Sequence, residues 1–198
     1  LRLQRAVSPS SYAPLRYAPF LRNHDQPRTR TEFGGDVSKA RLAATLMLTL
    51  PGLPFVYYGE ELGMLGDKPD EQIRTPMAWT LEGPHAGFTT GTPWEPLQRD
   101  SLESNVAVQD GDDRSLLSLY RTLIHRRASH PALSSGALVA LSTSHATVAA
   151  FVRRSGRHAV LVVANVGDSA VSNVRVQSAR TGLSAGHYAG RDMLGTSV

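Results

Sequence analysis

The residues of this chain best suited to chemistry stand together near its start. An apolar lead-in, Phe20-Leu21-Arg22, runs straight into Asn23-His24-Asp25-Gln26-Pro27-Arg28, so that an imidazole and a carboxylate sit between two guanidiniums. Where a strand gives way to a loop, such a grouping lies at the rim of a sheet, within reach of a substrate, and nothing in a packed core requires it. The plain alternative is a strand end closed by a capped turn. Farther on, Arg74 in Ile73-Arg74-Thr75-Pro76-Met77 is either a ligand-holding fork or a surface arginine paired with Asp70 or Glu71. Glu60 and Glu61 do not form a carboxylate pair in this reading, because adjacent strand residues point to opposite faces. His24 and Asp25 offer at most two metal ligands where a site needs three or four, so no metal is expected here.

The elements that must position these groups follow from periodicity. Tyr17 to Leu21 reads as a strand, Asp36 to Leu50 as a helix, and Leu53 to Tyr58 as a buried strand ending at Gly59-Glu60-Glu61. This strand, helix, strand order is one βαβ unit of a parallel sheet, which brings both strand ends to one rim. Asp36 is placed to accept from the free amides of the first helical turn. The apolar stripe is Ala40, Leu42, Ala43, Leu46, Met47 and Leu50, and Pro51-Gly52 stops the helix. Gly59 to about Val108 is irregular, a length that is unusual unless the loop builds a site. Helical spacing returns over 115–128, with Leu116, Leu117, Leu119, Tyr120, Leu123 and Ile124 on the buried side. From Ala137 the period becomes that of short strands: Ala137 to Leu141, Thr147 to Arg153, His158 to Asn165 and Val171 to Val176, an antiparallel sheet with hairpin connections.

Four segments in this order, FLRNHDQPR, LAATLMLTLPGLPFVYYGEELGM, IRTPMAW and AGFTTGTPW, resemble the C-terminal part of an α-amylase-family enzyme of glycoside hydrolase family 13, across roughly residues 17–165. The resemblance implies an α/β fold, the last part of a (β/α)8 TIM barrel followed by a small antiparallel β-domain. Residues 1–133 would carry the last two barrel strands and helices, and 134–198 the β-domain, itself truncated. A complete barrel takes about 250 residues, so the chain is expected to be a fragment of a longer protein.

Glycoside hydrolysis passes through an oxocarbenium-like transition state and normally needs a nucleophilic and an acidic carboxyl group. The resemblance places both upstream of Leu1 and assigns this chain a third carboxylate. Asp25 matches the transition-state stabiliser that binds ring hydroxyls and adds negative potential as charge develops. His24 matches its sugar-binding partner, and Arg74 the arginine that holds the non-reducing end in α-glucosidase-like members. Asn23 and Arg28 either line the pocket or orient His24 and Asp25. Trp79 and Trp94 are sugar-stacking platforms or loop anchors. Two departures bear on substrate: Ala78 stands where α-glucosidases often carry Gln, and Asp67-Lys68-Pro69-Asp70-Glu71 is closer to amylase-type members. The implied partners are α-linked glucose oligosaccharides or starch. No cofactor is implied in this stretch, and the calcium common in the family belongs to other segments.

Composition narrows the remaining classes. The 198 residues are 41% apolar, ordinary for a soluble globular protein, with a net charge of +4. Lys39 and Lys68 are the only lysines; the arginines are scattered apart from Arg126-Arg127 and Arg153-Arg154, so no stripe for a phosphate backbone forms and nucleic acid is not an expected partner. The absence of cysteine suits either side of a membrane, with the cytoplasm slightly favoured. The longest apolar run, Leu42 to Tyr58, is broken by Pro51, Gly52 and Pro54, so no membrane span is expected. The leading reading is part of a retaining glycosidase acting on α-glucosidic bonds, inactive as this fragment alone. The rivals are a transglycosylase such as a trehalose synthase, which shares the RTPM motif, and a non-catalytic carbohydrate-binding or transporter-accessory relative, against which the intact Asn23-His24-Asp25 argues.

Overall fold

The computed structural model describes residues 17–178 and 186–195. The chain forms two compact units: Pro19–Met47 with Pro54–Thr122, and residues 17–18 with Leu48–Leu53 and 123 onward.

The first unit is built of short helices on long connections. They are α1 (Thr29–Glu32), most of α2 (Val37–Thr49), a 3-10 turn (Glu60–Leu62), α3 (Asp70–Ile73), α4 (Val106–Asp110) and the start of α5 (Leu116–Ser129). Asp36 caps α2 as expected, its Oδ1 accepting from the amides of Ser38 at 2.8 Å and Lys39 at 3.1 Å. Asn105, wholly buried, caps α4 through Val108 N–H at 2.9 Å. Leu62, Met64 and Leu117 form a buried core on which Met77 and Val106 pack. Gly59 lies at φ +81°, and a Cβ there would stand 2.3 Å from Met64 Sδ, so the turn into Glu60 needs glycine for both conformation and space.

Several expected elements differ. The strands expected over Tyr17 to Leu21 and Leu53 to Tyr58 are reduced to a parallel bridge between Phe20 and Phe55, with Phe55 N–H donating to Pro19 O at 2.9 Å. Pro19 and Pro54 carry no N–H, which removes donors from the ladder. The second segment is not buried either: Phe55 is 58% exposed, since a parallel strand is covered only by neighbours on both sides and the described residues supply one. Glu60 and Glu61 lie in the 3-10 turn, not on a strand. In α2 the buried line is Ala40, Ala44, Met47 and Leu48, while Leu42, Ala43 and Leu46, and Leu50 just past its end, are half-buried; apolar residues lie on more than one face, so the pattern does not fix the phase. In α5, Ile124 is exposed, one step beyond the buried Leu123.

In the second unit, α6 (Pro131–Ser134) precedes a four-stranded antiparallel sheet of β1 (Ala137–Thr143), β2 (Val148–Ser155), β3 (His158–Asn165) and β4 (Val176–Gln177), in the order β3-β2-β1-β4. The alternation on β3, with Val160, Val162 and Ala164 buried and Leu161 and Val163 exposed, is that of a sheet covered on one face. The strand expected over Val171 to Val176 shortens to the two residues of β4, paired with Ser142 and Thr143. Two buried arginines hold the turn after α2. Arg153 donates to the carbonyls of Thr49, Leu133 and Gly136, and Arg127 to those of Leu48, Leu50 and Gly52. Among the described residues, no helix is long and apolar enough to cross a membrane.

Candidate active site

Asn23, His24 and Asp25 lie where the Phe20 bridge ends and the chain turns, and the turn has a local cause. Asn23 Oδ1 accepts from Asp25 N–H at 2.9 Å, an Asx turn that aims the next two side chains outward. The His24 and Asp25 side chains are 62% and 59% exposed, with Nε2 and Oδ1 3.4 Å apart. Both are open to a ligand.

Arg74 comes to this pair from 49 residues farther along. Its Nη2 donates to Asp25 Oδ1 at 3.1 Å and its Nε to the His24 carbonyl at 3.0 Å. The same Nη2 reaches Asp70 Oδ2 at 2.8 Å, one helical turn back across α3. The two alternatives for Arg74 are therefore both realised in its geometry: it pairs with Asp70, and it stands against Asp25. Lys68 bonds Asp70 from the other side and, with Arg74, holds the Asp70 carboxyl below its ordinary range; the Lys68 hydrogen bond is the largest cause, ahead of the two charges. The result is an exposed cluster of alternating charge with the Asp25 side chain held at one edge by Arg74. Such a cluster can bind hydroxyl groups and put negative potential beside a developing cation.

Arg28 is placed differently. It is wholly buried, so of the two roles open to it, lining the pocket or orienting His24 and Asp25, its position in this structure suits the second. Its Nη1 donates to Tyr58 O at 2.7 Å and lies 3.8 Å from Glu60 Oε1, and its guanidinium carbon stands 4.8 Å and 5.0 Å from the ring centres of Tyr57 and Tyr58. Burial pushes the Glu60 and Glu61 carboxyls up, against the opposing pull of Arg28.

Sequence reasoning did not single out Tyr57, Tyr58 or Glu60 as supports. Tyr58 Oη donates to Thr75 O at 2.8 Å and Tyr57 Oη to Ile73 O at 3.4 Å, the carbonyls on either side of Arg74. The only signal was two phenols at a strand end, an arrangement that core packing equally explains. Trp94, 59% exposed, is tethered by its indole N–H to Arg74 O at 3.2 Å, leaving the ring face open; Trp79 is 48% exposed. Neither is a core aromatic.

Among the described residues, no group of three or more His, Cys, Asp or Glu side chains could hold a metal ion.

Comparison with known proteins supplies the family. The sequence matches the alpha-amylase family model, described as alpha amylase, catalytic domain, over residues 13–136, more than half of the chain. It is 40% identical over 152 residues to Alpha-amylase 3 of Dictyoglomus thermophilum, covering 75% of this chain and 30% of that enzyme. It is 29% identical over 187 residues to an oligo-1,6-glucosidase of Parageobacillus thermoglucosidasius, covering 74% of this chain and 33% of that one. Among solved structures it is similar to a mutant isomaltulose synthase of Erwinia rhapontici NX5 in complex with D-glucose, with a TM-score of 0.66 and 31% identity over 75% of this chain and 34% of that one. The chain thus spans about a third of the length of the curated relatives it matches.

Proposed function

Because this chain belongs to the α-amylase catalytic-domain family, glycoside hydrolase family 13, whose members act on α-glucosidic bonds, we propose that it is the C-terminal part of a retaining glycosidase that hydrolyses α-1,4 or α-1,6 bonds in maltooligosaccharides or starch. In this reading residues 1–133 contribute the last two strand and helix units of a (β/α)8 barrel and 134–198 a β-domain. The nucleophile and general acid come from outside the chain.

The observation that carries the reading is the meeting of Arg74 with Asp25 and with the His24 carbonyl, three groups from two distant segments at one exposed edge. Asp25 binds ring hydroxyls and stabilises the oxocarbenium-like transition state. His24 donates to the same sugar, and the fixed fork of Arg74 bridges a sugar hydroxyl and the Asp25 carboxylate. Asn23 sets the turn that aims them. A second reading, transfer to a sugar instead of water, is favoured by the likeness to an isomaltulose synthase and by the open faces of Trp94 and Trp79, on which an acceptor ring can stack.

The test is release of reducing sugar from maltose, isomaltose and soluble starch by the full-length protein beside its Asp25→Asn variant. Loss of transition-state electrostatics predicts a fall of about a hundredfold or more in kcat. Unchanged activity in the variant would make Asp25 structural and remove the reading's basis. Chromatography of the products separates hydrolysis from transfer.

A further inference from the structure

Arg28 lies three residues beyond Asp25, has no access to solvent, and is held on several sides. Its amide donates to Gly66 O at 2.9 Å, its Nη1 to Tyr58 O, and its guanidinium packs against both Tyr57 and Tyr58, whose rings meet edge to face with centres 4.7 Å apart. The space around it is shaped for this. A Cβ at Gly66 would stand 3.2 Å from Arg28 Cδ and 2.5 Å from Gln72 O, and one at Gly59 would stand 3.2 Å from Arg28 Nη1. A lysine keeps the charge but not the flat face that packs against two rings while a single nitrogen, Nη1, donates to the Tyr58 carbonyl.

The tyrosines do not stop at Arg28. Their phenols bond the carbonyls of Ile73 and Thr75, on either side of Arg74, and Arg74 returns to Asp25 and the His24 carbonyl. The contacts therefore close a ring: Asp25, the chain to Arg28, the tyrosine pair, the backbone around Arg74, and the Arg74 guanidinium back to Asp25. The hydrogen bonds of Arg28 Nη1 and of the two phenols are part-buried, while Tyr58 itself is 39% exposed, so the frame behind the accessible pair is shielded chiefly at Arg28.

We propose that Arg28 is a positioning residue for the reaction, setting the separation of Asp25 and Arg74 through the Tyr57–Tyr58 pair without touching the sugar. The proposal rests on the glycosidase reading above and names what holds that site in register. Small displacements of a reacting geometry by groups remote from it cost up to about a hundredfold in rate, whereas a group that serves only to hold the fold changes stability and leaves the turnover of folded molecules alone.

The experiment compares the full-length wild type, Arg28→Lys, Tyr58→Phe and the double variant by kcat and KM on maltose, each with its urea midpoint, well inside the folded range. Tyr58→Phe removes only the phenol that bonds Thr75 O, so it keeps the test decisive should Arg28→Lys fail to fold. Arg28→Lys is expected to lower kcat/KM about tenfold to hundredfold, mainly in kcat. Tyr58→Phe is expected to lower it several-fold, and the double variant no further than Arg28→Lys alone, because both act along one path. Unchanged kcat/KM in either single variant, or losses that multiply in the double, overturns the proposal. A wild type inactive on every α-glucoside overturns the glycosidase reading and this proposal with it; an active wild type that loses activity in Asp25→Asn but not in Arg28→Lys overturns this proposal alone.

Discussion

Replacing Arg153 by methionine should destabilise the protein far more than any other single change to a charged residue of the sheet. Arg153 is 1% exposed, and its partners are carbonyls: Thr49 O at 2.6 Å, Leu133 O at 3.0 Å, and Gly136 O at 3.1 Å from Nε and 2.8 Å from Nη2. Thr49 is the last residue of α2, where the unpaired carbonyls of the helix end welcome a cation. Methionine fills similar volume but strands three buried acceptors, each worth about 1–3 kcal/mol. Against that stands relief from burying a charge. Desolvation, together with the nearby charge of Arg127, pushes Arg153 down to about 10, so it remains charged at neutral pH and its burial is opposed. The three stranded acceptors together cost about 3–9 kcal/mol, and relief of several kcal/mol from no longer burying the charge leaves a net loss on the order of 2–4 kcal/mol. The assay is urea unfolding of the full-length protein followed by circular dichroism, with Arg154→Met as the neighbour on the opposite face, whose Nε bonds only the exposed Gly156 carbonyl. Arg154→Met should lie within about 0.5 kcal/mol of wild type, as surface substitutions do. An Arg153→Met variant equally close to wild type would refute the reasoning, because it would mean the stranded carbonyls find other donors at no cost.

Two further outcomes follow from the site. Arg74→Lys keeps the charge but loses the fork between Asp25, the His24 carbonyl and Asp70, so kcat/KM on maltose should fall by about a hundredfold, while the urea midpoint moves little because these pairs are exposed; a shifted midpoint with intact kinetics would contradict this. Glu61 is raised above its ordinary carboxyl value of 4.5 by burial, so the folded state holds its proton more tightly than the unfolded one. Stability should therefore decline as pH rises from about 4.5 through the raised folded value, and Glu61→Gln should flatten that decline in urea midpoints taken between pH 4 and 8; an unaltered slope would exclude Glu61 as its source.

What could be read from the sequence was what depends on near neighbours. Asp36 caps α2 because its partners are two and three residues away, and β1 to β3 pair as hairpins because period-two alternation and short turns are both local. The parallel strands were over-read for the opposite reason: their regularity depends on donors that Pro19 and Pro54 lack and on neighbours that the described residues do not supply. The site divides along the same line. The types of Asn23, His24, Asp25 and Arg74 were visible, and so was the spacing of four that joins Asp70 to Arg74. The contact from Arg74 to Asp25 spans 49 residues, and no local pattern encodes it. Arg28 is the sharpest case. Its two expected roles were lining the pocket or orienting His24 and Asp25, and its full burial, costly for an unpaired charge, is made tolerable by the Tyr58 carbonyl, the Glu60 carboxyl, the paired tyrosines and the room left by the glycines at 59 and 66. Each of those features has an ordinary explanation taken singly, a turn or a packed aromatic. Their convergence on one guanidinium, three residues from Asp25, turns them into a frame for the site, and that convergence exists only once the chain is folded.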